Sequence, residues 1–127
     1  MGTAIFKVFD LEVARTGITE KEAKVEGIEY VSNVIEHGSR ATYYPGVSPI
    51  RIKFLADKNT GRLLGAQMVG KEGVAKRIDV FATALTVKMT AHEMRDLDLG
   101  YTPPFSPPYD PVLIAADELQ KKLPDKR

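Results

Sequence analysis

Residues 50–70 read IRIKFLADKNTGRLLGAQMVG, two apolar runs on either side of a polar turn, and they are the clearest local indication of structure in the sequence. In the first run Ile50, Ile52 and Phe54 alternate with charged residues, which places them on one face of a β-strand. The segment DKNTG supplies turn residues, and the second run is apolar again. The stretch therefore predicts a β-hairpin with a polar tip.

Helices are predicted after this hairpin. Residues 74–89 carry apolar side chains at helical spacing, which indicates a long amphipathic helix. Thr90 and Glu93 have the spacing of a capping box and predict a short helix over 91–97. The last helix is predicted over 111–122, with a proline in its first turn.

Shorter elements are predicted before the hairpin. The residues from Ala4 alternate and indicate a strand of about five residues. Residues 10–17 predict a short helical turn that ends at a glycine, 19–27 a helix with a capping box, and 28–38 a strand. Because the strands and helices do not alternate as βαβ units, we expect an α+β fold, an antiparallel sheet with helices packed on one face.

The composition indicates one soluble globular domain over 1–127, structured over about 4–120 with a charged tail at 123–127. The net charge of +1 gives no attraction to nucleic acid or to an acidic membrane. No apolar run reaches the roughly 20 residues that a membrane-spanning helix needs, and the start does not resemble a secretory signal. We therefore expect a cytoplasmic protein without a nucleic-acid or membrane partner.

Few residues of this chain are suited to catalysis. Cysteine is absent, which excludes disulfides, thiolate metal sites and thiol catalysis within the chain. The two histidines, His37 and His92, are too few for an ordinary zinc site, so no metal is expected. His92 is followed by Glu93, but adjacent helical residues do not face each other, and both histidines are expected to be ordinary surface residues.

Residues 69–79, VGKEGVAKRID, place two glycines and three basic residues at the start of the long helix. A helix start of this kind can bind an anion through its free N–H groups. The spacings of the P-loop and of the dinucleotide fingerprint are both absent. We therefore favour the alternative, in which a strand passes through a tight turn into a helix whose basic residues are solvated or salt-bridged.

Two segments combine tyrosine and proline, ATYYPGVSP at 41–49 and GYTPPFSPPYDP at 100–111. The first is predicted to be a loop that bends at its Pro-Gly pair. Proline stiffens such segments, and tyrosine is enriched at interfaces and ligand pockets. Two interpretations stay open on physical grounds. The segments present side chains to a partner, or they fix the C-terminal helix to its own domain.

Three blocks, 43–54, 61–85 and 97–116, resemble in this order the C-terminal dimerisation domain of the FAD-dependent pyridine nucleotide–disulfide oxidoreductases. They are most similar to the branch of the coenzyme A disulfide reductases and NADH oxidases. The resemblance extends over about residues 4–120. It implies an α+β domain that forms a homodimer and closes the active site of the partner subunit, where FAD, NAD(P)H and a redox cysteine are bound by other domains.

The resemblance also implies roles for particular residues. In the coenzyme A disulfide reductases two tyrosines of this domain reach towards the redox cysteine of the partner, and they match Tyr43 and Tyr101. Pro103, Pro104 and Phe105 would then lie near the partner's flavin. A phenol that donates a hydrogen bond to a developing thiolate stabilises its charge.

Other branches of the family use a His and a Glu of this tail as an acid–base pair, but the tail of this chain has no His. The FAD and NAD motifs and the redox cysteine of the family are absent as well. We therefore expect the isolated chain to be inactive and to bind no cofactor by itself. The alternative is an independent module that binds a nucleotide or coenzyme A through the basic helix start at 71–77 and the tyrosine loops.

Overall fold

Nine elements follow one another in the computed structural model, which describes residues 2–41, 43, 45–101 and 104–124. In chain order they are β1 (Ala4–Val8), β2 (Leu11–Gly17), α1 (Glu20–Val25), β3 (Tyr30–Gly38), β4 (Pro49–Asp57), β5 (Leu63–Gly70), α2 (Val74–Thr86), α3 (Ala91–Arg95) and α4 (Pro111–Gln120).

The predicted hairpin is confirmed, since β4 and β5 pair antiparallel through a polar tip. Ile52 lies opposite Met68, and both side chains are buried on the same face. At the tip the Asp57 carboxylate accepts hydrogen bonds from the backbone N–H groups of Asn59 (2.7 Å) and Thr60 (3.0 Å). A side-chain acceptor of this kind fixes the bend between the strands.

The strands form one antiparallel sheet in the order β1–β2–β5–β4–β3. The helical turn predicted over 10–17 is wrong, because Leu11–Gly17 is the strand β2 between β1 and β5. As a strand, the segment forms backbone hydrogen bonds with β1 on one edge and with β5 on the other. A single helical turn would leave most of these backbone N–H and C=O groups without a partner. Ala14 and Thr16 are buried, so β2 contributes to the core.

The helices α2 and α4 pack on one face of the sheet, as predicted. Phe81 of α2 meets Phe54 of β4 edge to face, with ring centroids 4.8 Å apart and an interplanar angle of 86°. The short α1 has its contacts with the opposite face, where the Glu20 carboxylate accepts a hydrogen bond from the Tyr30 hydroxyl (2.9 Å) and pairs with Lys53. The α+β class inferred from the sequence is confirmed.

Both predicted capping boxes are present, at the start of α1 and at the start of α3. The long helix ends at Thr86 and not at Met89. Lys88 has a φ of 56°, and the N–H of Met89 donates to the carbonyl of Ala84 (2.9 Å). This is a Schellman closure with lysine in the left-handed position. The last two helices also end two residues earlier than predicted, at Arg95 and Gln120.

Candidate functional site

The β3–β4 loop (residues 39–48) carries Tyr43 at one end of the sheet. Its base is closed by Ser39 and Ser48, since the Ser39 N–H donates to the Ser48 carbonyl (2.8 Å). The predicted bend is confirmed, because Gly46 after Pro45 has a φ of 84°. The side chain of Tyr43 is 73% exposed, so the loop presents this phenol to the outside.

Glu72, in the turn between β5 and α2, binds the base of this loop. Its carboxylate accepts a hydrogen bond from the Ser39 hydroxyl (3.0 Å) and pairs with the Arg40 guanidinium (2.5 Å). Burial by itself would raise the pKa of Glu72, but the hydrogen bonds from Arg40 and Ser39 and the positive charges of Arg40 and Arg77 outweigh it and lower the pKa. Glu72 is therefore stabilised as a carboxylate.

The second segment that carries predicted site residues is the α3–α4 segment (residues 96–110). It contains Tyr101, Pro104 and Phe105, whereas Pro103 lies outside the described residues. The buried hydroxyl of Ser106 can donate to the carbonyls of Gly100 (3.4 Å) and Pro107 (3.1 Å). Phe105 is 67% exposed although its own carbonyl is engaged, so its ring is held at the surface.

Tyr43 and Tyr101 lie side by side, although they are far apart in the chain. A hydrogen bond with the Tyr43 side chain is the main reason that the pKa of Tyr101 lies above its ordinary value. Partial desolvation and the charge interaction with Tyr43 raise it further. Tyr101 is 43% exposed, so this pair of phenols borders solvent. Like any tyrosine, Tyr101 is protonated at neutral pH, so its hydroxyl can donate a hydrogen bond.

A buried arginine lies behind both segments. Arg77 of α2 is 1% exposed, and its Nε donates to both carboxylate oxygens of Asp110 (3.0 and 3.2 Å). Its Nη1 donates to the Gly73 carbonyl (2.9 Å), and its Nη2 donates to the carbonyls of Ser39 (3.2 Å) and Phe105 (3.1 Å). The salt-bridged alternative for the basic helix start is confirmed at Arg77.

The N-terminus of α2 is occupied by a side chain of the protein itself. The Glu12 carboxylate accepts hydrogen bonds from the N–H groups of Val74 (3.0 Å) and Ala75 (3.1 Å). Glu12 therefore takes the place that an external anion would occupy at this helix end. Lys76, another basic residue of this helix start, donates to the Phe105 carbonyl (3.4 Å). Desolvation is the main cause that lowers the pKa of Lys76, and the positive charge of Arg77 lowers it further.

A pocket of about 330 Å³ opens beside this helix end. Pro104 and Phe105 line it together with Arg40 and Lys76, but the carboxylates of Glu12 and Glu72 line it as well. The diphosphate of a dinucleotide would meet two carboxylates here and no free helix N–H of Val74 or Ala75. The described residues of this pocket therefore do not fit FAD or NAD(P)H as resident cofactors.

The clefts that the two histidines line contain neither Tyr43 nor Tyr101. His37 is half-buried on β3 and lines a cleft with Val47, whereas His92 lies on α3 and lines another with Asn59. The Glu93 carboxylate beside His92 is engaged by the N–H and hydroxyl of its capping residue. Within the described ranges no three His, Cys, Asp or Glu residues are grouped for metal binding, and no helix is long and apolar enough to cross a bilayer.

A known protein family matches most of this chain. The sequence profile of the pyridine nucleotide-disulphide oxidoreductase dimerisation domain matches residues 3–110. The chain belongs to this family. The family consists of FAD- and NAD(P)H-dependent oxidoreductases, and a dimerisation domain implies oligomerisation.

Relatives of the predicted branch are among the matches. The NAD(P)H sulfur oxidoreductase (CoA-dependent) of Pyrococcus furiosus is 41% identical over 120 residues, which are 94% of this chain and 27% of the relative. A coenzyme A disulfide reductase of Staphylococcus aureus is 37% identical over 87% of this chain and 25% of its own length. An NADH oxidase of Methanocaldococcus jannaschii is 36% identical over 99% of this chain and 28% of its own length. The chain thus spans about a quarter of the length of these relatives.

The same family appears among solved structures. An NAD-dependent persulfide reductase from A. fulgidus superimposes with a TM-score of 0.91 at 45% identity. The match covers 94% of this chain and 22% of that chain. The sheet order and the helices that hold the two tyrosine segments are therefore those of this family's domain.

Sequence reasoning missed the residues that hold the site from behind, Glu12, Glu72 and Asp110. Each is a carboxylate without a motif of its own, and its partner lies far away in the chain. A faint signal existed for Asp110, which precedes Pro111 in the pattern of a helix cap. Glu12 was missed because residues 10–17 were predicted as a helical turn, whereas Glu12 reaches the N-terminus of α2 only from the strand β2.

Proposed function

We propose that this chain is the dimerisation domain, over about residues 4–120, of a homodimeric, cytoplasmic FAD-dependent NAD(P)H oxidoreductase. In this proposal the domain closes the active site of the partner subunit, and the substrate is coenzyme A disulfide or a related low-molecular-weight disulfide. Oxygen is the alternative oxidant. The chain is inactive alone, because a thiolate must come from elsewhere: it contains no cysteine.

The observation that carries the proposal is the pairing of Tyr43 and Tyr101 at the surface. Two loops from different parts of the fold bring one phenol each to the same place, and both phenols keep contact with solvent. A pair that served only the core would be buried. Exposed tyrosines on loops that are held from behind are typical of an interface.

The chemical role follows from the hydroxyl group. In disulfide exchange a thiolate attacks one sulfur, a new S–S bond forms, and the other sulfur leaves with the electron pair as a thiolate. A phenol O–H that donates to the leaving sulfur stabilises this charge in a site that excludes water. Hydrogen bonds to charged groups contribute about 1.5–3 kcal/mol, so loss of one such bond slows the step roughly 10- to 100-fold.

Phe105, Pro104 and Pro103 are proposed to border the partner's flavin. The exposed ring of Phe105 beside Pro104 offers a stiff apolar surface that loses little entropy on binding. This surface supplies contact area, and no step of the reaction is assigned to it.

The experiment uses a chimera in which this chain replaces the matching quarter of the Staphylococcus aureus coenzyme A disulfide reductase. Tyr43→Phe and Tyr101→Phe each remove one hydroxyl and keep the ring. Each is expected to lower kcat for disulfide reduction roughly 10- to 100-fold. Tyr109→Phe is the matched control, because Tyr109 is also 70% exposed on the α3–α4 segment. Rates that stay unchanged in both test variants of an active chimera sink the proposal.

A further inference from the structure

One guanidinium connects the two loops that carry the tyrosine pair. Tyr43 follows Ser39 by four residues, and Tyr101 precedes Phe105 by four. The carbonyls of Ser39 and Phe105 accept hydrogen bonds from the same nitrogen, Nη2 of Arg77, at 3.2 and 3.1 Å. The distance between the two loops is thus set at a single buried atom.

The orientation of this guanidinium is fixed from its other side. Its Nε forms an ion pair with Asp110, whose side chain is 6% exposed and whose Oδ1 also caps α4 through the Val112 N–H (2.9 Å). Its Nη1 donates to Gly73 at the start of its own helix. Five hydrogen bonds from the three nitrogens of one planar fork are formed at once, an arrangement that the single ammonium of a lysine cannot reproduce.

We propose that Arg77 is a positioning residue for the active-site tyrosines: it holds the loops of Tyr43 and Tyr101 at the separation at which the two phenols meet. Arg77 does not touch substrate, since it is buried behind the loops. Its relevance to activity rests on the proposed function of the tyrosines. Its effect on their geometry is independent of that function and is tested separately.

The first test uses the 127-residue chain with labelled tyrosine rings and nuclear magnetic resonance. Arg77→Lys keeps the charge and removes the fork. We expect it to abolish the ring-to-ring contact of Tyr43 and Tyr101 and to shift the Tyr101 titration towards its ordinary pKa, with the signals of β4 and β5 unchanged. Arg95→Lys is the control, because Arg95 forms its ion pairs at the surface with Asp96 and Asp117. A folded Arg77→Lys chain with the contact and titration intact overturns the proposal.

Two measurements keep the test decisive if Arg77→Lys does not fold. In the unmodified chain the Arg77 Nη2–H protons are expected to exchange slowly and to show proximity to protons of both Ser39 and Phe105; rapid exchange without those contacts overturns the proposal. Gly73→Ala acts on the guanidinium without replacing it, because a Cβ there would lie 2.1 Å from Nη1. It is expected to disturb the tyrosine pair in the same direction.

The second test is a double-mutant cycle in the disulfide reductase chimera. Arg77→Lys is expected to lower kcat roughly 10-fold with tyrosines present and to have little further effect when both are Phe. Equal losses in both backgrounds show a general structural role and overturn the positioning role, while the proposed function stands. Phe variants without any loss refute the proposed function, and the resonance measurements alone then decide the positioning role.

Discussion

Arg77 and Asp110 form an ion pair, Nε to Oδ1 at 3.0 Å, in which the two side chains are only 2% and 6% exposed. The same carboxylate caps the N-terminus of α4, and the same guanidinium donates hydrogen bonds to one backbone carbonyl in each of two surface loops. A pair of buried charges costs free energy to desolvate and is tolerated when its hydrogen bonds are all used. Here they are used to join the last helix to the loops of the candidate site.

Removal of one partner of this pair is predicted to destabilise the fold strongly. Asp110→Ala leaves Arg77 charged and buried, so we expect the free energy of unfolding to fall by about 3–5 kcal/mol. Asp117→Ala is the matched control, because Asp117 is 41% exposed in its pairs with Arg95 and Lys121 and should cost less than about 1 kcal/mol. Urea unfolding measures both. Similar losses would contradict the assignment.

The tyrosine pair gives a prediction for titration. Tyr43→Phe removes the main cause of the raised Tyr101 pKa, which should therefore move down towards 10.0. A raised folded pKa adds stability that is fully present below the unfolded pKa and is lost as pH rises through the folded pKa. In the variant this contribution below the unfolded pKa should be smaller, and the free energy of unfolding should fall less as pH rises through the Tyr101 pKa. Site-resolved titration checks it, and Glu20→Gln is the control, because Glu20 raises the pKa of Tyr30 instead. A Tyr101 pKa that does not move would show that the phenols do not interact.

Acid is predicted to release the β3–β4 loop. The pKa of Glu72 lies below 4.5 in the folded chain, so its contribution is present above the unfolded pKa and is lost as pH falls through the folded pKa. Protonation weakens its hold on Ser39 and Arg40. Amide hydrogen exchange of residues 39–48 should therefore become faster below about pH 4.5 relative to the exchange in β5. In Glu72→Gln this relative change should vanish; its persistence would point to another carboxylate.

Glu12 is predicted to exclude external anions from α2. Glu12→Ala exposes the N–H groups of Val74 and Ala75, with a cost of about 1 kcal/mol, as for other lost caps. Millimolar phosphate should then raise the Tm of this variant but not of the unmodified chain or of Glu36→Ala, a control on β3. A rise in the unmodified chain would instead favour the anion-binding interpretation of residues 69–79.

Local sequence patterns predicted the elements whose causes are local. The hairpin over 50–70 and both capping boxes depend on residues that are neighbours in the chain, and they were placed correctly. The strand β2 was missed because seven residues with few strand formers become a strand only when β1 and β5 supply partners on both sides. The end of α2 was missed because lysine rarely adopts the left-handed conformation of Lys88.

The candidate site depends on contacts between distant parts of the chain. Arg77 lies 33 residues from Asp110, and nothing in either local pattern pairs them. Tyr43 and Tyr101 were predicted as site residues from the family resemblance, not from periodicity or spacing. Arg77 is buried because α2 packs against two loops. The backbone path of these proline-containing loops cannot be predicted from the sequence.

Heterodimer complementation in the chimera measures whether the tyrosines of one subunit serve the thiol of the other. One subunit lacks the redox cysteine and keeps Tyr43 and Tyr101; the other keeps the cysteine and carries Phe at both positions. Each homodimer should be nearly inactive. If the tyrosines act across the interface, the mixed dimer contains one complete site and should regain up to half of the activity per dimer. If mixing restores nothing while heterodimers form, the tyrosines act within their own subunit or not at all, and the proposed role across the interface is refuted.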